Sequence, residues 1–114
     1  MKEFLLIFRR EEGNEGPLSP EQLQAMMKPW QDWLGNIAAQ NKLVSPGNRL
    51  ERDGTVLKPN NVITNGPYVE TKESVGGYTI IKAGSLEEAT ELSKSCPILQ
   101  VGGNVEVRAI VPMN

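Results

Sequence analysis

Residues 65–78, called the motif below, hold the densest group of side chains that could do chemistry. Glu70, Lys72 and Glu73 stand close together in it. Two carboxylates beside an ammonium can push their pKa values apart, which makes Glu70 or Glu73 a candidate general base. In an extended segment Glu70 and Lys72 share a face, whereas in a helical turn Glu70 and Glu73 are neighbours. Charged triplets in small proteins are more often surface or interface ion pairs, so the sequence favours that simpler role over catalysis.

Several other polar side chains have the chemistry to bind a small polar or anionic ligand. Arg9 and Arg108 can each bind a carboxylate through two parallel hydrogen bonds, although they could equally pair with Glu106 or with a glutamate of the motif. The phenols of Tyr68 and Tyr78 can donate a hydrogen bond into a pocket or rest at the edge of a core. The predicted ligand-binding residues are Asn65, Tyr68, Lys72, Tyr78, Arg9 and Arg108.

Histidine is absent from the chain. Its absence removes the commonest general base near neutral pH and the commonest zinc ligand. Cys96 is the single cysteine, so neither a zinc site nor any other metal or cofactor is predicted. A lone thiol forms no internal disulfide, which suits a reducing compartment. We therefore expect a cytoplasmic protein without a metal or cofactor.

The charge and the apolar content argue against nucleic acid and membrane as partners. The chain has 12 Lys and Arg against 14 Asp and Glu, which gives a formal net charge of -2. Like charges are not gathered in runs, and phosphate binding depends on clustered Lys and Arg. The apolar run near the amino terminus is bounded by charges and is shorter than a signal peptide or a membrane span requires.

A long amphipathic helix is predicted after the first strand. Ser19 can cap it and Gln22 can complete a capping box, with a proline at the first helical position between them. A kink or a local break is expected near Ala25 to Pro29, because a proline inside a helix removes a backbone hydrogen bond. On the apolar face of this helix, Trp30 is predicted to lie in the core and Trp33 to flank the core or meet a partner subunit.

Strands, turns and a second helix fill most of the remaining chain. Residues 48–64 read as a small hairpin arm, with turn signals at residues 53–54 and 59–61. The second helix is predicted to begin with a capping box at Ser85 and to stop before Pro97. The predicted strands of the main sheet are residues 3–9, 43–50, 78–83 and 104–111.

This element order is the β-α-β-β-α-β plan of a ferredoxin-like α+β fold, with an antiparallel sheet and both helices on one face. At 114 residues the chain fits a single domain, residues 1–114. In the last strand Val105 and Val107 share one face, and Glu106 and Arg108 share the other. Half the positions on the uncovered face of the sheet are apolar, so we expect two sheets to pair in a homodimer.

The motif resembles that of the DGPF subgroup of the bacterial YCII-related family. It reads Asn-Gly-Pro-Tyr-Val-Glu-Thr-Lys-Glu at residues 65–73 and Gly-Gly-Tyr at residues 76–78, and Val-Glu-Val-Arg follows near the end of the chain. The likeness covers nearly the whole chain and implies a dimeric α/β barrel, in which two ferredoxin-like subunits pack sheet against sheet. Asn65 replaces the first Asp of the family motif, Tyr68 replaces its Phe, and the histidine of founding YCII members is missing.

The resemblance implies no particular reaction. Related barrels include small enzymes and monooxygenase-like proteins, and DGPF proteins are associated with genes for extracytoplasmic-function sigma factors. The leading hypothesis is a dimeric protein that binds a small polar or anionic ligand in a cleft near the motif. One alternative is a cofactor-free isomerase, lyase or oxygenase with Glu70 or Glu73 as its base. Another is a regulatory interaction module, associated with a sigma factor, that uses the hairpin arm and the Trp33 side of the first helix.

Overall fold

A computed structural model describes residues 1–11, 19–51, 53–65 and 73–113, with the main chain alone at residues 11, 65, 73 and 74. Its centre is a four-stranded antiparallel sheet. The strands of this sheet are β1 (Lys2–Glu11), β2 (Leu43–Ser45), β5 (Glu73–Ala83) and β6 (Asn104–Ala109). They lie in the order β2-β5-β1-β6, which is the strand order of a ferredoxin-like sheet.

Two helices and a separate hairpin complete the chain. The helices are α1 (Pro20–Ala39) and α2 (Leu86–Ser93), and both pack on the same face of the sheet. Neither helix is long and apolar enough to cross a membrane. The hairpin arm consists of β3 (Thr55–Lys58) and β4 (Val62–Asn65), which pair with each other in a sheet of their own. The predicted ferredoxin-like α+β fold is thereby confirmed.

The core lies between the helices and one face of the sheet. Alternate residues of β1, Phe4, Leu6 and Phe8, are buried, because successive side chains of a strand point to opposite faces. Phe4 lies opposite Ile81 of β5, and Ile37 of α1 covers the same region. The other alternate residues of β1 therefore face away from both helices.

Helix α1 begins as the sequence predicts. The Ser19 hydroxyl accepts a hydrogen bond from the Gln22 amide at 3.1 Å, and the Gln22 side chain accepts one from the Ser19 amide at 2.9 Å. The helix then continues through Pro29, so the predicted local break does not occur. Pro29 is exposed, and its ring lies at the solvent side of the helix. The carbonyl group that loses a partner because proline has no N–H is therefore not left unsatisfied in the core.

The two tryptophans exchange their predicted roles. Trp33 is 4% exposed, and its indole Nε1 donates a hydrogen bond to the Leu92 carbonyl oxygen at 2.9 Å. Trp30 is half-buried and packs edge-on against Phe8 and Trp33, with ring centroids 5.0 and 5.6 Å away. Trp33 lies one helical turn before the buried Ile37, whereas Trp30 lies a turn nearer the exposed first half of α1. The prediction that Trp33 flanks the core or meets a partner is therefore wrong.

The turn of the hairpin arm lies at residues 59–61 and not at residues 53–54. Asn60 and Asn61 have φ values of 68° and 61°, a left-handed conformation that asparagine tolerates better than most residues. Asp53 and Gly54 precede the first strand of the arm instead. A turn signal marks where a reversal is allowed, and the pairing of the flanking residues decides which signal is used.

Strand β5 is longer than predicted because it includes the glycine pair. Phe8 of β1 lies opposite Gly77, and the next residue, Arg9, lies opposite Val75. Gly76 is thus the extra residue of a β-bulge, a position where glycine is common. The bulge lets the strand extend back to Glu73, so the end of the motif is part of the sheet.

Glu88 ties the start of α2 to the segment before β2. Its amide donates a hydrogen bond to the Ser85 hydroxyl at 3.1 Å, which is the half of the predicted capping box that forms. Its carboxylate accepts one from the Gly84 amide at 3.2 Å and lies 2.5 Å from Lys42 Nζ. The hydrogen bond from Lys42, followed by that from Gly84, lowers the pKa of Glu88.

We expect Glu88→Gln to lower the thermal midpoint at pH 7 and to have no effect in acid. A lowered folded-state pKa stabilises the fold above the ordinary pKa of a glutamate, about 4.3, and this contribution is lost as the pH falls through the folded value. Thermal unfolding between pH 3 and pH 7 measures the difference. Glu91→Gln, which removes only the exposed ion pair with Lys94, is the matched control. A deficit as large at pH 3 as at pH 7 would contradict the assignment.

Candidate functional site

The face of the sheet opposite the helices, called the open face below, brings together an apolar strip and charged side chains. Leu5 lies between Ile80 of β5 and Arg108 of β6, and Ile7 lies between Tyr78 and Glu106. Leu5, Ile7, Tyr78 and Ile80 are half-buried in the subunit. The residues that define the open face are Leu5, Ile7, Arg9, Tyr78, Ile80, Glu106 and Arg108.

A carboxylate stands between two guanidinium groups on the β6 side of the open face. Glu106 Oε1 pairs with Arg9 Nη1, and Glu106 Oε2 lies 3.8 Å from Arg108 Nε. The Arg9 side chain is 29% exposed and that of Arg108 is 71% exposed. The separation from Arg108 is longer than a hydrogen bond. Arg108 therefore presents a solvent-exposed guanidinium with donors that can bind an anion.

Tyr78 is held at the other side of the open face by the segment that follows β2. Asn48 Nδ2 donates a hydrogen bond to the Tyr78 phenol oxygen at 3.0 Å, and the Tyr78 amide donates one to the Asn48 carbonyl oxygen at 3.2 Å. Because the phenol oxygen accepts from Asn48, its own hydrogen can be donated elsewhere. Tyr78 therefore lies on the face away from the core and not at the edge of the core, and its phenol can donate a hydrogen bond at the open face.

The structure brings three of the predicted ligand-binding residues to one face. Arg9, Tyr78 and Arg108 all belong to the open face, and the pairing of Arg9 with Glu106 is one of the predicted alternatives. Asn65 ends β4 opposite Thr55. The predicted candidates Tyr68, Glu70 and Lys72 lie outside the described residues.

Glu73, the other candidate base, begins β5. Its main chain lies opposite Glu11 of β1. Glu73 is therefore extended, whereas the two alternatives for Glu70 and Lys72 fall outside the described residues and stay predictions. The side chain of Glu73 is outside the described part of the structure.

Two residues of this region were not predicted as part of a site. The sequence indicates Glu106 only as a partner for arginine, although its alternation with Val105 and Val107 places it on the same face of the strand as Arg108. Asn48 carries no local signal, because its contact with Tyr78 depends on how the chain resumes pairing after Pro46. The backbone pairing of the following residues, Arg49 with Gly77 and Leu50 with Gly76, fixes that position.

An open depression of about 560 Å³ lies beside the base of the hairpin arm. It is lined by Arg49, Leu50, Glu51 and Asp53. Among its described lining residues, one basic and two acidic side chains carry no excess of positive charge, so these residues favour an anion less than those of the open face do. In the described residues, no group of three or more Cys, Asp or Glu side chains stands close enough to hold a metal ion.

The family model of the YCII-related domain matches residues 3–114. The chain belongs to the YCII-related family. A comparison with curated proteins finds no match. The match covers β1 to β6, so the open face is part of the YCII-related domain itself.

Proposed function

We propose that this YCII-related domain is a homodimeric protein of the DGPF subgroup that binds a small polar or anionic ligand at the open face. The observation that carries the proposal is the exposed guanidinium of Arg108 beside the half-buried Leu5. Arg9 and Tyr78 contribute to the same face. The motif residues Asn65, Tyr68 and Lys72 complete the proposed ligand set, since the motif leads directly into β5. A bacterial cytoplasm is the proposed setting.

The composition of the open face supports pairing of two subunits. Leu5, Ile7 and Ile80 form an apolar strip on the two inner strands, β1 and β5. Two such strips packed against each other would remove apolar surface from water, which favours association. Strand β6 is at the edge of the sheet, so Arg108 would lie at the rim of the interface, where a small ligand can enter.

Arg108→Gln is expected to weaken the binding of small carboxylates about 10- to 100-fold, because a charge-assisted hydrogen bond contributes about 1.5–3 kcal/mol. Isothermal titration calorimetry at low ionic strength measures the change in affinity. Light scattering gives the mass of the protein and so tests the proposed homodimer. The matched control is Lys28→Gln, which removes one positive charge from the exposed side of α1, where Lys28 pairs with Asp32. Equal loss of affinity in both variants would show a general charge effect and would contradict the proposed site.

A second candidate function is that of a protein-interaction module, and the hairpin arm favours it. Leu57 and Ile63 lie opposite each other and are 69% and 63% exposed. A two-stranded hairpin has little stability by itself, and exposed apolar pairs often mark contact surfaces. Because Trp33 is buried, the Trp33 side of the first helix is no longer proposed as part of the interaction surface.

Leu57→Asp should abolish co-elution with an extracytoplasmic-function sigma factor, and the absence of co-elution with the wild-type protein would remove this candidate.

A further inference from the structure

We infer that the open face selects a monocarboxylate with an apolar body, whose carboxylate binds Arg108 and whose body lies over Leu5 towards Ile80. This inference rests on the proposed function and specifies the class of its ligand. It differs from a general preference for anions, because it requires an apolar strip and the exposed guanidinium of Arg108 to lie side by side.

Among the described residues of the open face, Arg108 is the cation held more loosely by Glu106, with 3.8 Å between its Nε and Glu106 Oε2 and a side chain that is 71% exposed. Arg9 already pairs with Glu106. Glu3 and Lys82 lie directly opposite each other on β1 and β5, so their charges offset one another. The guanidinium of Arg108 has five N–H donors in a fork that matches a carboxylate. A second negative charge at the far end of the ligand would lie over Leu5 towards Ile80, where it would lose hydration beside apolar side chains.

The apolar strip begins directly beside this guanidinium. In one row across the sheet, Arg108 is followed by Leu5 and then by Ile80. Neighbouring strands are about 4.8 Å apart, so the row from Arg108 to Ile80 spans roughly 10 Å. That length suits an acyl chain of medium length or one aromatic ring with a short linker. Ile7 widens the strip on the same strand as Leu5.

The paired arrangement proposed above would strengthen this selection. The apolar body of the ligand would then lie between the strips of the two sheets, in place of part of their direct contact, while Arg108 on the edge strand would remain at the rim. An amphipathic acid could then enter from the rim with its apolar end first. A ligand that is polar along its whole length would lose hydration over Leu5 and Ile80 without gaining partners.

The test is a titration series with the full-length protein at pH 7 and low ionic strength. The probes are butanoate, hexanoate, octanoate and phenylacetate, with hexanamide as the uncharged match of hexanoate, glutarate as the dicarboxylate, and inorganic phosphate. We expect each added CH₂ to raise the affinity about two- to fourfold, since a fully buried CH₂ accounts for the upper value. Hexanoate should bind at least about tenfold more tightly than hexanamide and than glutarate.

Two variants separate the roles of charge and apolar surface. Arg108→Gln should remove the discrimination between hexanoate and hexanamide while the dependence on chain length persists. Ile80→Thr should reduce the dependence on chain length while the discrimination between acid and amide persists. Circular dichroism establishes that each variant is folded. If Ile80→Thr fails to fold, the ligand series on the wild-type protein still decides the question.

The outcomes distinguish this inference from the proposed function. Binding of glutarate or phosphate that depends on Arg108, with no rise in affinity along the acyl series, would overturn the inference and leave the proposed function standing. Failure of the wild-type protein to bind any of the probes would overturn both. An acyl series unaffected by Ile80→Thr would place the apolar body elsewhere and would also overturn the inference.

Discussion

Trp33→Ala is expected to lower the free energy of unfolding by about 3–5 kcal/mol, the range for removing a large aromatic side chain from a core. Trp33 is 4% exposed and packs edge-on against Phe8 and Trp30, with ring centroids 5.9 and 5.6 Å away. Its indole N–H also binds the carbonyl oxygen of Leu92 in α2. The substitution would therefore open a cavity and separate the two helices where they meet.

Urea unfolding followed by far-ultraviolet circular dichroism measures this loss. Trp33→Phe keeps much of the ring volume but removes the donor to the Leu92 carbonyl, so a smaller loss of about 1–2 kcal/mol is expected from the hydrogen bond. Leu86→Ala, at a side chain that is 51% exposed on α2, serves as a control with a loss below about 1 kcal/mol. A loss for Trp33→Ala no larger than that of the control would contradict the position of Trp33 in the core.

Gly47→Ala is expected to destabilise the protein by about 2–4 kcal/mol and to displace the segment that carries Asn48 away from Tyr78. Gly47 has a φ of +73°, which a residue with a Cβ rarely adopts, and a Cβ added there would lie 1.8 Å from the Tyr78 carbonyl oxygen. The nearest atoms belong to the main chain of β5, so they cannot move aside as a flexible side chain would. The segment that carries Asn48 must shift instead.

Amide hydrogen exchange gives a local readout of this displacement. The amides of Tyr78 and Leu50 donate to the carbonyl oxygens of Asn48 and Gly76, and both should exchange faster in the variant. Gly35→Ala is the matched control, because an added Cβ there meets nothing within 4 Å and the position lies in α1. That control should stabilise the protein by about 0.5–1 kcal/mol. Unchanged exchange at Tyr78 in Gly47→Ala would contradict the close approach of the two segments.

Local signals predict much of this fold. The cap at Ser19 and the start of α2 at Ser85 are confirmed because a helix end needs partners for its free amides, and those partners lie within a few residues. The alternation in β6 correctly separates Val105 and Val107 from Glu106, because the period of a strand is a property of its backbone. The hairpin arm contains two turn signals, at residues 53–54 and 59–61, and the sequence does not indicate which of them forms the turn.

The predictions that are wrong concern features that depend on packing between distant segments. The amphipathic pattern of α1 places Trp30 and Trp33 on one face, but the position of α2 decides which of them is covered. The effect of Pro29 depends on whether its side of the helix faces solvent. The bulge at Gly76 depends on the register between β5 and β1, which no single strand specifies.

The sequence by itself determined the family, the element order and the residue types from which a site can be built, because motif, capping and alternation are all local. Only the tertiary structure decided that Arg9 pairs with Glu106 and leaves Arg108 exposed beside Leu5. Arg9 and Glu106 are 97 residues apart in the chain, and their meeting follows from the antiparallel register of β1 and β6. A register is set by the packing of whole strands against the helices, so the choice of partner at the site emerges only when the sheet is assembled.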